Sequence, residues 1–244
     1  MIPTKLQYTA KSNARIFAKC FGRVMLLIIC VLSILLIGFY SRHSYFSIYG
    51  ASMEPQIASK GYSCFINKSS PYSYGDIVVA YDKTVHSTPV IKRVIATGGD
   101  MLGFYYNSSP QNSAYTQGYY QILLIKAANP TEVILLDEPY LIHGITNPQQ
   151  QNQLLANTVI TYQKFLKSPQ IAPKLSSIFM LGQFIQLLNI EENQVFLLGD
   201  NRKVSLDSAT YGAVPASSIQ GKVEYIFENT VSTFEIALKD IFGL

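Results

Sequence analysis

The chain has 244 residues, room for one core of moderate size with a smaller lobe, and only 14% of them are charged, against roughly 25% in an average soluble domain. The net charge of +4 sits at the start: Lys5, Lys11, Arg15, Lys19 and Arg23 precede the first apolar run, no acid occurs before Glu54, and beyond Arg23 fourteen basic residues face fifteen acidic ones. The balance excludes a basic surface for DNA or RNA, so no nucleic-acid partner is expected.

Val24 to Tyr40 holds seventeen residues with no charge and no proline. A bilayer core needs about 17 to 25. A cleaved signal peptide would carry an apolar core of about 7 to 15 residues and then a small-residue cleavage site. This run is longer and ends in Phe39-Tyr40-Ser41-Arg42-His43. It reads as an uncleaved anchor over 24–41, with 1–23 a cytoplasmic basic tail and the rest of the chain beyond the membrane. Tyr40, Tyr45, Phe46 and Tyr49 would lie at the outer interface, where aromatic rings are favoured. Cys20 and Cys30 belong to this region, and Cys64 is alone in the remainder, so no internal disulfide is expected there. No CxxC or Cys/His cluster suggests a metal site.

Residues 45–100 read as short strands. Gly61 to Ile66, Ile77 to Tyr81 and Val90 to Ala96 are apolar and rich in strand formers, and Gly98-Gly99-Asp100 closes the last of them. Alternation on that strand puts Lys92 with Val90, Val94 and Ala96, and Arg93 on the other face with Ile91 and Ile95.

Residues 101–194 hold twenty Asn and Gln and few charges. Ile122–Ile125 and Val133–Leu136 read as strands separated by Asn129-Pro130. Leu155, Val159, Tyr162 and Leu166 recur at helical spacing within 149–167, and Leu181, Phe184, Ile185 and Leu188 predict a second, shorter helix. The block reads as an insertion or cap on a β core, or as a plain α/β lobe, with no visible chemistry of its own. Val195 to Leu198 is a further apolar strand, running into Gly199-Asp200-Asn201-Arg202, with Ser205, Asp207 and Ser208 close behind. Val223, Tyr225 and Phe227 alternate with acids as a late strand, and Phe234, Leu238, Ile241 and Phe242 predict a short amphipathic helix.

Ser52, in Gly50-Ala51-Ser52-Met53-Glu54-Pro55, is either a solvated turn serine or a nucleophile. It is not in a GxSxG elbow, because Glu54 occupies the second glycine position, and no lysine follows three residues on. A histidine-based triad would need His43, His86 or His143, none of which has a distinctive setting. Lys92 either snorkels to water or is buried among β-branched residues. A fully buried amine titrates as much as about 3 to 5 units below about 10.4, and a neutral amine can accept a serine's proton. Arg93 cannot, because guanidinium stays protonated. The block from Gly199 to Ser208 is either ordinary turn chemistry or a source of a hydroxyl and carboxylates for the lysine.

Together these blocks resemble the bacterial type I signal peptidases, membrane proteases that work with a Ser-Lys pair. The resemblance rests on Ser52-Met53-Glu54-Pro55, on Gly75-Asp76-Ile77-Val78-Val79, on Lys92-Arg93-Val94-Ile95 with Gly99-Asp100, and on Gly199-Asp200-Asn201-Arg202 through Ser205, Asp207, Ser208, Gly212, Val214 and Pro215, in the family's order. It implies a mainly β, antiparallel fold of signal-peptidase type, with 42–100 and 195–244 as the catalytic core, 101–194 as a variable α/β cap, and one transmembrane helix ahead of both. It implies Ser52 as nucleophile and Lys92 as general base, the Ser52 backbone N–H in the oxyanion hole, and Ser205 positioning the amine. Asp200, Asp207 and Arg93 would support the site, and Met53 and Pro55 would shape the serine's turn. No cofactor and no metal are implied. The partners would be the phospholipid membrane and extended signal-peptide segments of preproteins, cut after small residues of the Ala-x-Ala type, with the protein in the bacterial plasma membrane and its catalytic part on the outer face.

Two departures stand out. Some members have a serine, and others a glycine, two positions before the nucleophile; here it is Gly50, which leaves a second oxyanion donor open. Many members have arginine directly after the Asp-Ser pair; here it is Ala209, so Asp207 needs another partner, for which Arg202 is a candidate. A specialised peptidase that matures conjugative pilins and a non-catalytic membrane-tethered peptide-binding module are the alternative readings.

Overall fold

The computed structural model describes residues 5–108, 118–229 and 233–242. Residues 1–4 of the basic tail and 109–117 of the insertion lie outside the described residues. The chain divides into two units, 1–43 with 231–244, and 44–230.

The first unit holds two helices, α1 (Lys5–Arg42) and α5 (Thr233–Phe242). Within α1, Ile16–Arg42 is long and apolar enough to cross a membrane, with a mean hydropathy of 2.7. Most of its apolar side chains are exposed, as the lipid-facing surface of a span would be, and Phe39 near its end is buried.

The second unit is built on two antiparallel sheets. The larger orders its strands β1-β2-β12-β3-β4-β10-β11, from β1 (His43–Ile48), β2 (Tyr62–Asn67), β3 (Ile77–Ala80), β4 (Val90–Thr97), β10 (Gln194–Leu198), β11 (Val214–Pro215) and β12 (Ile219–Glu228). The smaller orders β7-β6-β5-β9-β8, from β5 (Met101–Asn107), β6 (Tyr119–Lys126), β7 (Asn129–Leu135), β8 (Ser176–Met180) and β9 (Gln183–Asn189). Helices α2 (Pro148–Ala156) and α3 (Thr158–Lys167) lie between β7 and β8 in the chain, and α4 (Ser208–Tyr211) follows β10.

The helical spacing within 149–167 is divided between α2 and α3, which meet at Asn157. Asn147 caps α2 by accepting from the N–H groups of Gln149 and Gln150, and Pro148 fills the first helical position. The helix expected over Leu181–Leu188 is instead a hairpin. Leu181 and Gly182 have φ of 51° and 79°, the two positive values that a primed two-residue turn requires. The register Met180↔Gln183 through Ser176↔Leu187 closes on that turn. The difference has a simple cause. β9 pairs with both β8 and β5 and buries Ile185, Leu187 and Leu188, so its apolar residues fall on both faces and mimic a helical repeat.

One apolar cluster takes side chains from both sheets. Ile95 of β4, Phe196 and Leu198 of β10, and Ala209 of α4 pack with Leu102, Phe104, Ile122, Leu124 and Leu188 of the smaller sheet and with Phe165 of α3. A second cluster, with Ile48, Met53, Ile57, Cys64, Ile66 and Val79, lies beneath the Ser52 turn.

Candidate active site

Ser52 stands in a single 3-10 turn, Ala51–Met53. Gly50 enters it at φ 88°, ψ 153°, a conformation a side chain would strain. Met53 is fully buried and fixes the turn to the second cluster, and the Glu54–Pro55 peptide that leaves it is cis.

Lys92 projects from the middle of β4, opposite Val78 of β3. It is 3% exposed, and its Nζ donates to Ser52 Oγ at 3.0 Å and to the Ile91 carbonyl at 3.0 Å. Burial holds the amine below the ordinary lysine range, against the fields of Asp207 and Asp200. A depressed pKa and contact with a hydroxyl are what a lysine needs to act as a base near neutral pH.

Arg93, the next residue, turns to the opposite face. Its Nε and Nη2 donate to Asp200 Oδ1 and Oδ2 at 2.8 and 2.6 Å, and its Nη1 donates to the Gly75 carbonyl at 2.7 Å. Burial would lower the guanidinium's pKa, but the Asp200 carboxylate more than offsets this and raises it.

The loop from Gly199 to Asp207 closes over the serine. Asn201 N–H donates to the Ser52 carbonyl at 3.0 Å. A Cβ at Gly199 would collide with that carbonyl and with Ser205 Oγ, so only glycine permits the approach. Ser205 Oγ is buried and has no hydrogen-bond partner among the described residues, so the structure draws no bond between it and Lys92. Asp207 caps α4 by accepting from Ala209 N–H at 3.2 Å and also accepts from Gly199 N–H at 3.0 Å.

The expected Arg202–Asp207 pair does not form. Arg202 turns toward the insertion, where its Nη2 meets Glu138 Oε1 at 2.5 Å, while backbone N–H groups take both Asp207 oxygens. Ala209 is fully buried in the cluster of Phe165 and Phe196, with no room for an arginine. The insertion also reaches the site through Tyr140, whose ring lies 3.8 Å from the Arg93 guanidinium carbon, and through Lys164, whose Nζ donates to the Ser205 carbonyl at 2.8 Å. These three residues have no motif around them. The acidic pair Asp137-Glu138, in a stretch otherwise poor in charge, was the one available signal.

The histidines are engaged elsewhere or exposed. His43 Nδ1 bonds the Phe39 carbonyl, His86 Nε2 lies 3.0 Å from Tyr211 Oη, and His143 is exposed. Burial and the nearby Lys92 lower the pKa of His86, against Asp82.

A cavity of about 430 Å³ lies between β1 and residues 88–91. Phe46, Ile48, Val79, Pro89 and Ile91 make it apolar, with Cys64 also in its lining. Burial pushes the Cys64 thiol up to about 12, so it is an inert wall rather than a nucleophile. β1 is an edge strand of its sheet, the kind of strand that can take up an extended segment.

The sequence matches the family model described as signal peptidase, peptidase S26, over residues 20–228. A signal peptidase I of Aquifex aeolicus (strain VF5) is 26% identical over 223 residues, covering 84% of this chain and 83% of its own. A signal peptidase I of Streptococcus pneumoniae (strain ATCC BAA-255 / R6) is 26% identical over 211 residues, covering 86% and 93%. A crystal structure of a signal peptidase I from Enterococcus faecalis V583 covers 64% of this chain and 98% of its own at 16% identity, with a TM-score of 0.36. The matched span runs from within the apolar helix to the end of β12 and takes in the turn of Ser52, the strand of Lys92 and the loop of Asp200, and on that match the chain belongs to the signal peptidase family, peptidase S26.

Proposed function

We propose that this protein is a membrane-anchored serine endopeptidase that removes N-terminal signal peptides from exported preproteins, with Ser52 as nucleophile and Lys92 as general base. One observation carries the reading: a lysine almost wholly removed from water, with a lowered pKa, in hydrogen-bond contact with a serine hydroxyl at 3.0 Å. The 3-10 turn and the surrounding loop hold that contact in place, which supports a working pair over a non-catalytic binding module.

In the reaction, neutral Lys92 takes the Ser52 hydroxyl proton as Oγ bonds to the scissile carbonyl carbon. The Ser52 N–H faces the developing oxyanion, a donor of a kind worth about 2.7 to 4 kcal/mol in the transition state. Gly50 has no hydroxyl to add a second side-chain donor. The tetrahedral centre collapses, the C–N bond breaks, and the Lys92 ammonium gives its proton to the leaving amine. Lys92, neutral again, deprotonates the water that attacks the acyl-serine, and Ser52 recovers its proton as the new carboxyl end departs. Ser205 Oγ, buried and without a hydrogen-bond partner among the described residues, is the hydroxyl available to orient the amine as the serine leaves it.

The substrate would add an extended strand to the edge of β1 and send side chains into the apolar cavity. The family preference for small residues before the cut is carried over to this groove. In this reading the larger sheet is the catalytic core and residues 101–194 its cap, with the basic N-terminal stretch in the cytoplasm and the sheets on the outer face of the plasma membrane.

The test is cleavage of a model preprotein by the full chain in detergent. Wild type should cut at a single site after a small residue. Ser52→Ala and Lys92→Ala should each fall to background, and cutting by either variant at a rate near wild type would sink the Ser-Lys mechanism.

A further inference from the structure

We propose that Glu138, which the insertion supplies, is a positioning residue for the Ser52–Lys92 pair, acting through Arg202 on one side and Tyr140 on the other. This role rests on the catalytic reading above.

Glu138 Oε1 accepts two hydrogen bonds, from Arg202 Nη2 at 2.5 Å and from the Tyr140 hydroxyl at 2.5 Å. The ion pair is dry: the side chain of Arg202 is 1% exposed and that of Glu138 is 6%. Burial would lower the Arg202 pKa, but the carboxylate beside it more than offsets this and holds the guanidinium firmly charged. Burial and the same carboxylate raise the Tyr140 pKa, so its hydroxyl stays protonated and donates. Leu136 and Leu141, both buried, pin the segment on either side of Pro139, so the carboxylate is held rather than tethered.

Each bond leads to one half of the pair. Arg202 Nε donates to the Gly199 carbonyl at 3.2 Å, and Arg202 is next in the chain to Asn201, whose N–H holds the Ser52 carbonyl. Tyr140 supports the other half: its ring lies against Arg93, which grips Asp200 with two bonds and adjoins Lys92 on β4. Glu138 is thus the junction of two short routes, one ending at the backbone of the nucleophile and the other at the strand of the base. No arginine follows the Asp207-Ser208 pair to brace Asp207, because buried Ala209 stands there. Glu138 braces the loop from outside, across a boundary that the core sheet does not span by itself.

A displacement of about 1 Å in a reacting group can cost about a hundredfold in rate. Glu138→Ala should therefore lower kcat by at least about tenfold, with KM within about twofold, in assays run well below the variant's melting temperature. Glu138→Gln keeps both acceptor bonds and should recover most of the lost kcat. The double variant Glu138→Met with Arg202→Met separates bracing from stability. Replacing a buried ion pair with apolar residues commonly leaves the fold as stable as before. That variant should match wild type in melting temperature yet stay slow. A wild-type kcat in Glu138→Ala or in the double methionine variant would overturn the positioning role and leave the Ser-Lys mechanism standing. Cleavage that survives Ser52→Ala would overturn both.

Discussion

Arg93 and Asp200 join β4 to the loop after β10 through two parallel hydrogen bonds, 2.8 and 2.6 Å long, almost out of contact with water. The pair lies behind Lys92, on the opposite face of the strand. Removing one partner leaves the other as a bare buried charge, which typically costs about 3 to 5 kcal/mol. Asp200→Ala should lose about that much in urea denaturation. Arg93→Lys should lose a large share of it, since an ammonium cannot reproduce the two-pronged geometry. A loss below about 0.5 kcal/mol in Asp200→Ala would mean that the pair contributes no more than a surface one.

Titration of Lys92 makes a prediction for rate and another for stability. Activity should rise with pH through the depressed pKa of Lys92, and Asp207→Asn should move that limb to lower pH, because Asp207 opposes the depression. A profile flat from about pH 5 to about 10 would contradict the neutral-lysine mechanism. For stability, the pKa is lower in the folded state than in the unfolded chain. Between the folded value and about 10.4, the unfolded chain binds a proton that the folded one has released, so stability climbs with pH across that window. Lys92→Met, which removes the buried amine, should be more stable than wild type, with the largest gap below the folded pKa and a shrinking gap as pH rises. Chemical denaturation at a series of pH values measures it, and a gap independent of pH would mean an unshifted lysine.

Leu181 has no need to be a leucine for the fold of its hairpin. It is about half exposed, at φ 51°, in a conformation that costs an ordinary L-residue roughly 1 to 2 kcal/mol. Leu181→Asn should raise stability by about 1 kcal/mol, visible as a higher denaturation midpoint at unchanged slope. A fall in the midpoint would show that the leucine makes contacts worth more than the strain.

Local pattern carried part of this molecule and long-range pairing carried the rest. The alternation of Val90 to Ala96 sufficed to separate Lys92 from Arg93, because a strand's period is two whatever surrounds it. The apolar run ahead of Ser52 was legible for a similar reason, since length and lack of charge are local properties. Glu138 and Arg202 stand 64 positions apart, and no local period links a carboxylate before Pro139 to an arginine in a glycine-led loop. Asp207, the expected partner, shares a loop with Arg202, while the carboxylate it meets, Glu138, comes from a distant part of the chain. The hairpin of β8 and β9 went unread because a strand buried on both faces loses its alternation, and a leucine stood where the turn favours asparagine or glycine.

The cluster around Phe165 bears on how this protein can be cut down or rebuilt. Ile95, Phe196 and Leu198, from the sheet that carries the pair, are covered by Leu102, Leu124, Leu188 and Phe165 from the stretch that interrupts it. A shortened chain made by splicing residue 100 to residue 195 would uncover the apolar side chains of Ile95, Phe196 and Leu198 and would be expected to aggregate. Residues 101–194 are therefore a poor target for trimming and a sound one for grafting. Replacements would have to match their inner face, while the uncharged outer strand β8 is open to change.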